Sequence, residues 1–314
     1  MNYRNLVRRP FDIVARRPYL WLLGLLAGGA TSYSSWSGNS YRSSGNNDKI
    51  YSNVSFATLQ TFWNNNWEWI VWLAAIALVV SVVLFILGCI ATGGIIRAAV
   101  AHDEGREYGL GTAWRAGYST GWRIAGLRLT TLVLAITPAI FIAALAGATA
   151  ALATTFIPAA VILALVLAAA ALASVAFWIV LGVAYELAQR IIVLEDGPVF
   201  ESLAEGFRMV RWHLKETGLG WGILVAISIA AGIAMGIVAV AVAVPAAALG
   251  FSGWLIGGTT GVIVLGSFAG VFFLGVVLAA IGLWSAYSSV YWTLLYRVVR
   301  AMPLPAPRGA VAPA

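Results

Sequence analysis

The sequence predicts an all-α protein: a polytopic membrane bundle of about six transmembrane helices, with short amphipathic helices leading in from the cytoplasmic face at three places. Three observations carry this expectation. Hydrophobic residues make up 61% of the chain and charged residues 10%, with a mean hydropathy of +0.90, an apolar excess that a soluble domain of 314 residues does not show. The apolar residues are gathered into runs of bilayer length, separated by short polar islands. The net charge of +7 gathers in alternate islands, which is the pattern of an inner membrane face and excludes a nucleic-acid surface.

Before Pro18, Arg4, Arg8, Arg9, Arg16 and Arg17 stand against Asp12 alone, and Phe11 and Val14 give the segment an apolar side, so residues 1–18 read as an interfacial helix. Arg8-Arg9 followed by Phe11 also resembles a twin-arginine export signal, but Arg16-Arg17 and Pro18 stand between it and the apolar core. An interfacial helix accounts for both pairs. The first span is Tyr19 to Ala30, completed by Thr31 to Trp36. Residues 31–66 turn to Ser, Asn, Gly and Tyr and read as an extracytoplasmic polar loop with Arg42 and Lys49 its only bases; Asn53-Val54-Ser55 matches a glycosylation acceptor. Trp67 to Ile96 is the second span, opened by interfacial tryptophans. A polar inner segment from Arg97 to Arg123 holds the turn at His102-Asp103-Glu104-Gly105 and a short helix over Thr112 to Arg123, and Arg128 just beyond it counts among the inside bases.

Leu127 to Ala150 and Phe156 to Gln189 are the third and fourth spans. Asp196-Gly197-Pro198 stops the chain, with Asp196 or Gly197 as the expected cap of a new helix. Val199, Leu203, Phe207, Val210 and Leu214 then recur at helical spacing, opposite Glu201, Glu205, Arg208, Arg211 and Lys215, with acids first and bases last as the helix dipole prefers. Gly218 to Val244 is the fifth span, and residues 261–296 are the sixth. The Pro/Ala tail, 301–314, reads as disordered and cytoplasmic. The fourth and sixth runs, at roughly 34–36 residues, would reach about 50 Å against a hydrocarbon core of about 30 Å. They must tilt, break or protrude on the inner side, with Pro158, Pro245, Gly270, Gly275 and Gly282 as places to bend.

Topology follows from the bases. With both termini cytoplasmic, only Arg42 and Lys49 of the 19 Lys and Arg fall outside. Each inner segment also shows the same grammar, an aromatic-bearing amphipathic helix that runs into a span. Phe11 and Val14 precede Trp21; Trp114, Tyr118 and Trp122 precede Leu127; Phe207, Val210 and Trp212 precede Trp221. The expectation is one membrane bundle, 1–300, built as a threefold internal repeat of about 1–100, 101–192 and 193–300. Any six-span protein with inside termini alternates in this way, but alternation alone does not predict an aromatic lead-in helix each time.

Chemistry is sparse. The predicted hydrocarbon depth holds no Asp, Glu, Lys, Arg or His, which counts against a proton relay or ion-coupled carrier. Glu186 is the nearest exception, and it lies four residues before Arg190, the favourable order for a structural helical ion pair. His102-Asp103-Glu104 lacks converging ligands, His213 belongs to another helix, and there is no HExxH, CxxC or spaced acidic cluster, so no metal or other cofactor is expected. Cys89 reads as a small packing residue, and Thr92, Thr130, Thr131, Ser174, Ser228 and Ser267 as back-bonded to their helices. The G-x-x-x-G spacings Gly24 to Gly28, Gly232 to Gly236, Gly257 to Gly261 and Gly266 to Gly270 predict close helix packing or a face for a partner helix.

The run IIVLEDGPVFESLAEGFRMVR, Ile191 to Arg211, resembles the recurring element of a broad group of uncharacterised bacterial membrane proteins, among them the membrane domain that accompanies some glycerophosphodiester phosphodiesterases. The resemblance implies a six-helix α bundle in the bacterial cytoplasmic (inner) membrane. The catalytic barrel of those enzymes, with its metal-binding Glu, Asp and His, has no counterpart here, so no catalytic residue carries over. The expected function is therefore a non-enzymatic scaffold or accessory subunit of a membrane complex, contacting anionic lipids, a partner membrane protein or a second copy, and no nucleic acid. The residues expected at headgroups or at such an interface are Arg8, Arg9, Arg16, Arg17, Arg115, Arg123, Arg208, Arg211, Lys215 and Trp212. A transporter or channel for a lipid-like or small solute is the alternative.

Overall fold

The computed structural model describes residues 3–31 and 56–302, and these fold entirely into helices and short turns. In chain order they are α1 (Tyr3–Arg16), α2 (Tyr19–Thr31), α3 (Phe56–Asp103), α4 (Leu110–Ala153), α5 (Ile157–Glu195), α6 (Val199–Trp212) and α7 (Leu214–Arg300). A glycine at φ 57°, ψ −138° breaks α7 at Gly258, so it forms an outgoing arm, Leu214–Gly253, and a returning arm, Gly257–Arg300. The returning arm comes back beside the start of the outgoing one: the Tyr291 hydroxyl donates to the Gly220 carbonyl at 2.7 Å. Only glycine takes the backbone of Gly258 without strain.

Five stretches are long and apolar enough to cross a membrane: residues 66–103, α4, α5 and the two arms of α7. α2 is shorter, and residues 32–36, expected to complete the first span, lie outside the described residues, as do 32–55 of the expected loop and 303–314 of the expected tail. Several expected boundaries move. The expected loop gives way to helix at Phe56, because nothing from Phe56 to Leu87 is Gly or Pro. The expected Thr112 helix and Leu127 span are one helix, since Gly121 and Gly126 weaken a helix but do not remove its N–H ladder. Pro245, Gly270, Gly275 and Gly282 all lie within helical backbone. Lys215 and Leu214 are not on α6 but on α7, because the chain breaks at His213 (φ −116°, ψ 44°).

Neither Asp196 nor Gly197, the two expected caps, caps α6: Asp196 closes α5, in the left-handed region at φ 55°, and Pro198 is the N-cap of α6. An L-residue there carries a strain of about 1–2 kcal/mol, which Asp tolerates better than most. Asp196→Gly is therefore expected to hold the turn, whereas Asp196→Val is expected to lose about 1–2 kcal/mol relative to it, read as a lower midpoint in detergent melts.

Burial is concentrated at one end. Ala91, Ile95 and Ala98 of α3, Ala113 and Leu127 of α4, Leu187 and Ile192 of α5, Leu20 and Leu23 of α2, and Val290 and Leu295 of α7 are all fully enclosed. The other halves of the long helices are bare: Leu73, Leu165, Ile237 and Val271 are exposed by 71%, 68%, 66% and 71%. In α3 the bare stretch, residues 67–87, is about 30 Å long, the thickness of a hydrocarbon core. The excess helix length extends past that stretch at the packed end, where it forms a head, the protruding alternative of the three expected.

The head is assembled by three backbone crossings built alike. A Cβ at Gly117 of α4 would stand 2.0 Å from the Ile90 carbonyl oxygen of α3; at Gly206 of α6, 2.6 Å from that of Ala184 in α5; and at Gly24 of α2, 2.2 Å from that of Gly282 in α7. Each rising element thus lies backbone to backbone on a descending one. Of the expected G-x-x-x-G pairs, Gly24 and Gly28 meet α7, and Gly261 closes against Gly253 at the α7 turn. Gly232, Gly236 and Gly270 face open space, because they lie on the bare halves.

Candidate functional site: the basic end of the head

The exposed residues of the head repeat one theme, bases interleaved with aromatics. On α1, Arg4, Arg8 and Phe11 are exposed on successive turns. On α4, Arg115 shares its face with Tyr118 and Trp122, which are 73% and 82% exposed. At the α6–α7 junction, Arg208, Arg211, Trp212 and Lys215 are all exposed, with the Arg208 guanidinium 5.7 Å from the Trp212 ring centroid. An aromatic belongs at a water–membrane boundary, where its ring sits among headgroups, and a base beside it meets their phosphates.

The ten expected contact residues divide by what else they hold. Arg8 pairs with Asp12 one turn on, at 3.8 Å. Arg9 reaches Asp103 at the end of α3, 3.3 Å away, and Arg123 donates to the Asp196 carbonyl at 2.8 Å, so both tie helices together. Arg16 and Arg17 border a hollow of about 280 Å³ with Asp12, Ile13 and His102. Arg115, Arg211 and Lys215 are exposed on the surface, and Phe207 is half-buried against the core.

Ion pairs bind the lower ends of the long helices to one another. Arg297 of α7 meets Asp103 at 2.7 Å and Glu104 at 3.1 Å; Arg300 meets Glu205 at 2.6 Å and Glu195 at 2.8 Å; Arg97 of α3 meets Asp196 at 3.8 Å. His102 is also structural. The Tyr19 hydroxyl donates to the Tyr108 carbonyl at 2.8 Å, so at its 2.5 Å contact with the imidazole it accepts, and the proton lies on Nε2. Among the described residues no three His, Cys, Asp or Glu side chains gather as metal ligands would. Asp103→Asn is expected to weaken the hold of α3 on α1 and α7, raising proteolysis at the 104–109 turn while leaving total helix content unchanged by circular dichroism.

Two buried arginines were not legible as such. Arg190, 1% exposed, pairs with Glu186 as the spacing predicts, but it also donates from Nη2 to the Ser289 carbonyl of α7 at 3.1 Å. Arg128 reads in the sequence as one of the inside bases, at the start of the third span. In the fold it is 8% exposed, donating to the Tyr185 hydroxyl at 3.1 Å and the Thr92 hydroxyl at 3.0 Å, with Phe85 stacked 5.9 Å away. Its partners lie on α3 and α5, far along the chain, so no local signal marks them. Cys89, buried one turn from Thr92, fills space there.

Apolar helices long enough to cross a membrane, joined by a basic and aromatic head, define a multi-pass helical membrane protein. The chain belongs to DUF7544, a family of unknown function, the match covering residues 8–296. No curated protein and no solved structure matches it.

Proposed function

We propose that this protein is a non-enzymatic membrane scaffold or accessory subunit, inserted in a bacterial cytoplasmic membrane with both termini inside. Its head holds anionic lipid headgroups, alone or together with a partner membrane protein. The supporting observation is the exposed pairing of bases with aromatics on α1, the start of α4 and the α6–α7 junction, all at the packed end. The positive-inside rule puts that end in the cytoplasm. The buried arginines favour a scaffold over a conduit, since Arg128 and Arg190 fasten helix to helix. The three like crossings support a threefold repeat over 1–100, 101–192 and 193–300, since Gly24, Gly117 and Gly206 fall one in each unit. The likeness of Ile191 to Arg211 to the membrane domain beside glycerophosphodiester phosphodiesterases fits a role next to lipid headgroups.

Purification in mild detergent followed by lipid mass spectrometry tests the reading. Retained phosphatidylglycerol is expected to exceed phosphatidylethanolamine. The combined change Arg115→Gln, Arg211→Gln and Lys215→Gln is expected to lower retention by up to roughly a hundredfold, at about 1 kcal/mol per base. A well-folded monomer that retains neither lipid nor partner would sink the proposal.

A further inference from the structure

We infer that the hollow at the α6–α7 break is a binding site for a singly charged phosphodiester, the group carried by glycerophospholipid heads. Its lipid source rests on the scaffold reading above. The hollow is about 230 Å³ and is lined by Glu205, Arg208, Met209, Trp212, His213 and Arg300. That is below the roughly 300 Å³ at which sites for drug-sized ligands begin, so it suits a headgroup and not a whole lipid.

The observation that points to a ligand is His213. It is 7% exposed, and neither ring nitrogen has a hydrogen-bond partner. Its backbone is fully engaged, the N–H on the Met209 carbonyl and the carbonyl accepting from Thr217, both at 2.9 Å, so the break itself does not require an imidazole. The Thr217 hydroxyl, one turn further on, is buried and equally unpartnered. Enclosed polar atoms without partners are costly, and a histidine held that way at the wall of a hollow is suited to donate to something that enters it.

The other walls say what that is. Arg300 is engaged by Glu195 and Glu205 at hydrogen-bond distance, whereas Arg208 approaches Glu205 only to 3.5 Å and lies over Trp212. Arg208 therefore keeps donors for an incoming oxyanion, in the fork geometry that suits phosphate. Glu205, already in the wall, disfavours a doubly charged monoester and leaves room for one negative charge. Leu214 and Leu219 are exposed at the foot of the outgoing arm, so the hollow lies beside apolar surface that acyl chains would cover on the scaffold reading.

The chain has two histidines, so [15N]histidine labelling of the full-length protein in phosphate-free dodecyl maltoside micelles gives one reporting signal and one internal control, assigned with His213→Gln. Phosphatidylglycerol is expected to shift the His213 imidazole and leave His102 in place. Its deacylated, soluble headgroup is added separately: a shift with both keeps the phosphodiester site and makes the acyl chains dispensable, and a shift with the lipid alone ties it to the membrane. Oleate, an anion without phosphate, is expected to do nothing, and an equal shift with oleate would overturn the inference. So would no shift with any phosphodiester. Arg208→Gln is expected to abolish the response, while Arg211→Gln, which removes the same charge outside the hollow, keeps it; equal responses from the two variants would also overturn it. Should Arg208→Gln move the His102 signal, a sign of misfolding, Arg208→Lys replaces it, with at least a fivefold weaker response expected. Loss of lipid retention with an intact His213 response to the soluble headgroup would sink the scaffold reading alone; the reverse would sink only this site.

Discussion

Replacing Glu186 by alanine is expected to be among the most damaging single changes in the protein, at about 3–5 kcal/mol, because it leaves a guanidinium buried without a counter-charge. Arg190 is 1% exposed, and the partners left to it are carbonyl oxygens, those of Glu186 at 2.6 Å, Ser289 at 3.1 Å and the Gln189 side chain at 3.3 Å. These accept hydrogen bonds but carry no net charge. The double change Glu186→Gln with Arg190→Met removes both charges and keeps the volume, and is expected to lose less than half as much. Cys89 supplies the measurement. It is the single cysteine and it is buried, so a thiol-reactive dye reports opening of the head as detergent-solubilised protein is heated. A midpoint for Glu186→Ala equal to that of the parent would show that the pair does not hold the head.

Gly117→Val carries the other large effect. At this crossing the first added carbon already lies 2.0 Å from the Ile90 carbonyl oxygen and 2.9 Å from the Gly94 nitrogen, and backbone cannot yield as a side chain can. Overpacking of this kind costs about 1–3 kcal/mol, and the branched carbons of valine push it to the upper end. Gly117→Ala makes the sharper comparison. Alanine is the better helix former by about 1 kcal/mol, so Gly147→Ala, with nothing within 4 Å, is expected to be neutral or stabilising, whereas Gly117→Ala is expected to destabilise. Cys89 neighbours Ile90, and its labelling rate is expected to rise with Gly117→Val and stay unchanged with Gly147→Ala. Equal behaviour of the two alanine variants would mean that the crossing is not a tight one.

Both predictions concern the head, and the division of the molecule into head and bare helices bears on its role. The outer halves of the long helices touch at places, as where the Trp178 indole of α5 donates to the Ala135 carbonyl of α4 at 3.1 Å, but their large apolar side chains are mostly exposed, while the close crossings and most ion pairs lie in the head below. On the scaffold reading proposed above, such a platform would present its exposed bases and aromatics as one surface.

Much of this was written in local order. The apolar runs, the basic islands, the Asp196-Gly197-Pro198 stop and the Glu186–Arg190 pair are each set by neighbours within a turn or two, where hydropathy, capping and i,i+4 spacing act directly. The same local signals misplaced Leu214 and Lys215, because the broken turn at His213 has no Gly or Pro to announce it. Nor do they separate Gly117, enclosed between backbones, from Gly147, facing open space, since both are glycines in helical sequence. That difference, the burial of Arg128 between Thr92 and Tyr185, and the hollow shared by Arg208, His213 and Arg300 depend on which helices cross and at what height. The sequence by itself determined which runs are apolar enough to cross a membrane and which islands are basic, because transfer free energy and charge act residue by residue. Only the tertiary structure decided which glycines are crossings and which cations are bound, because those depend on the approach of segments far apart along the chain.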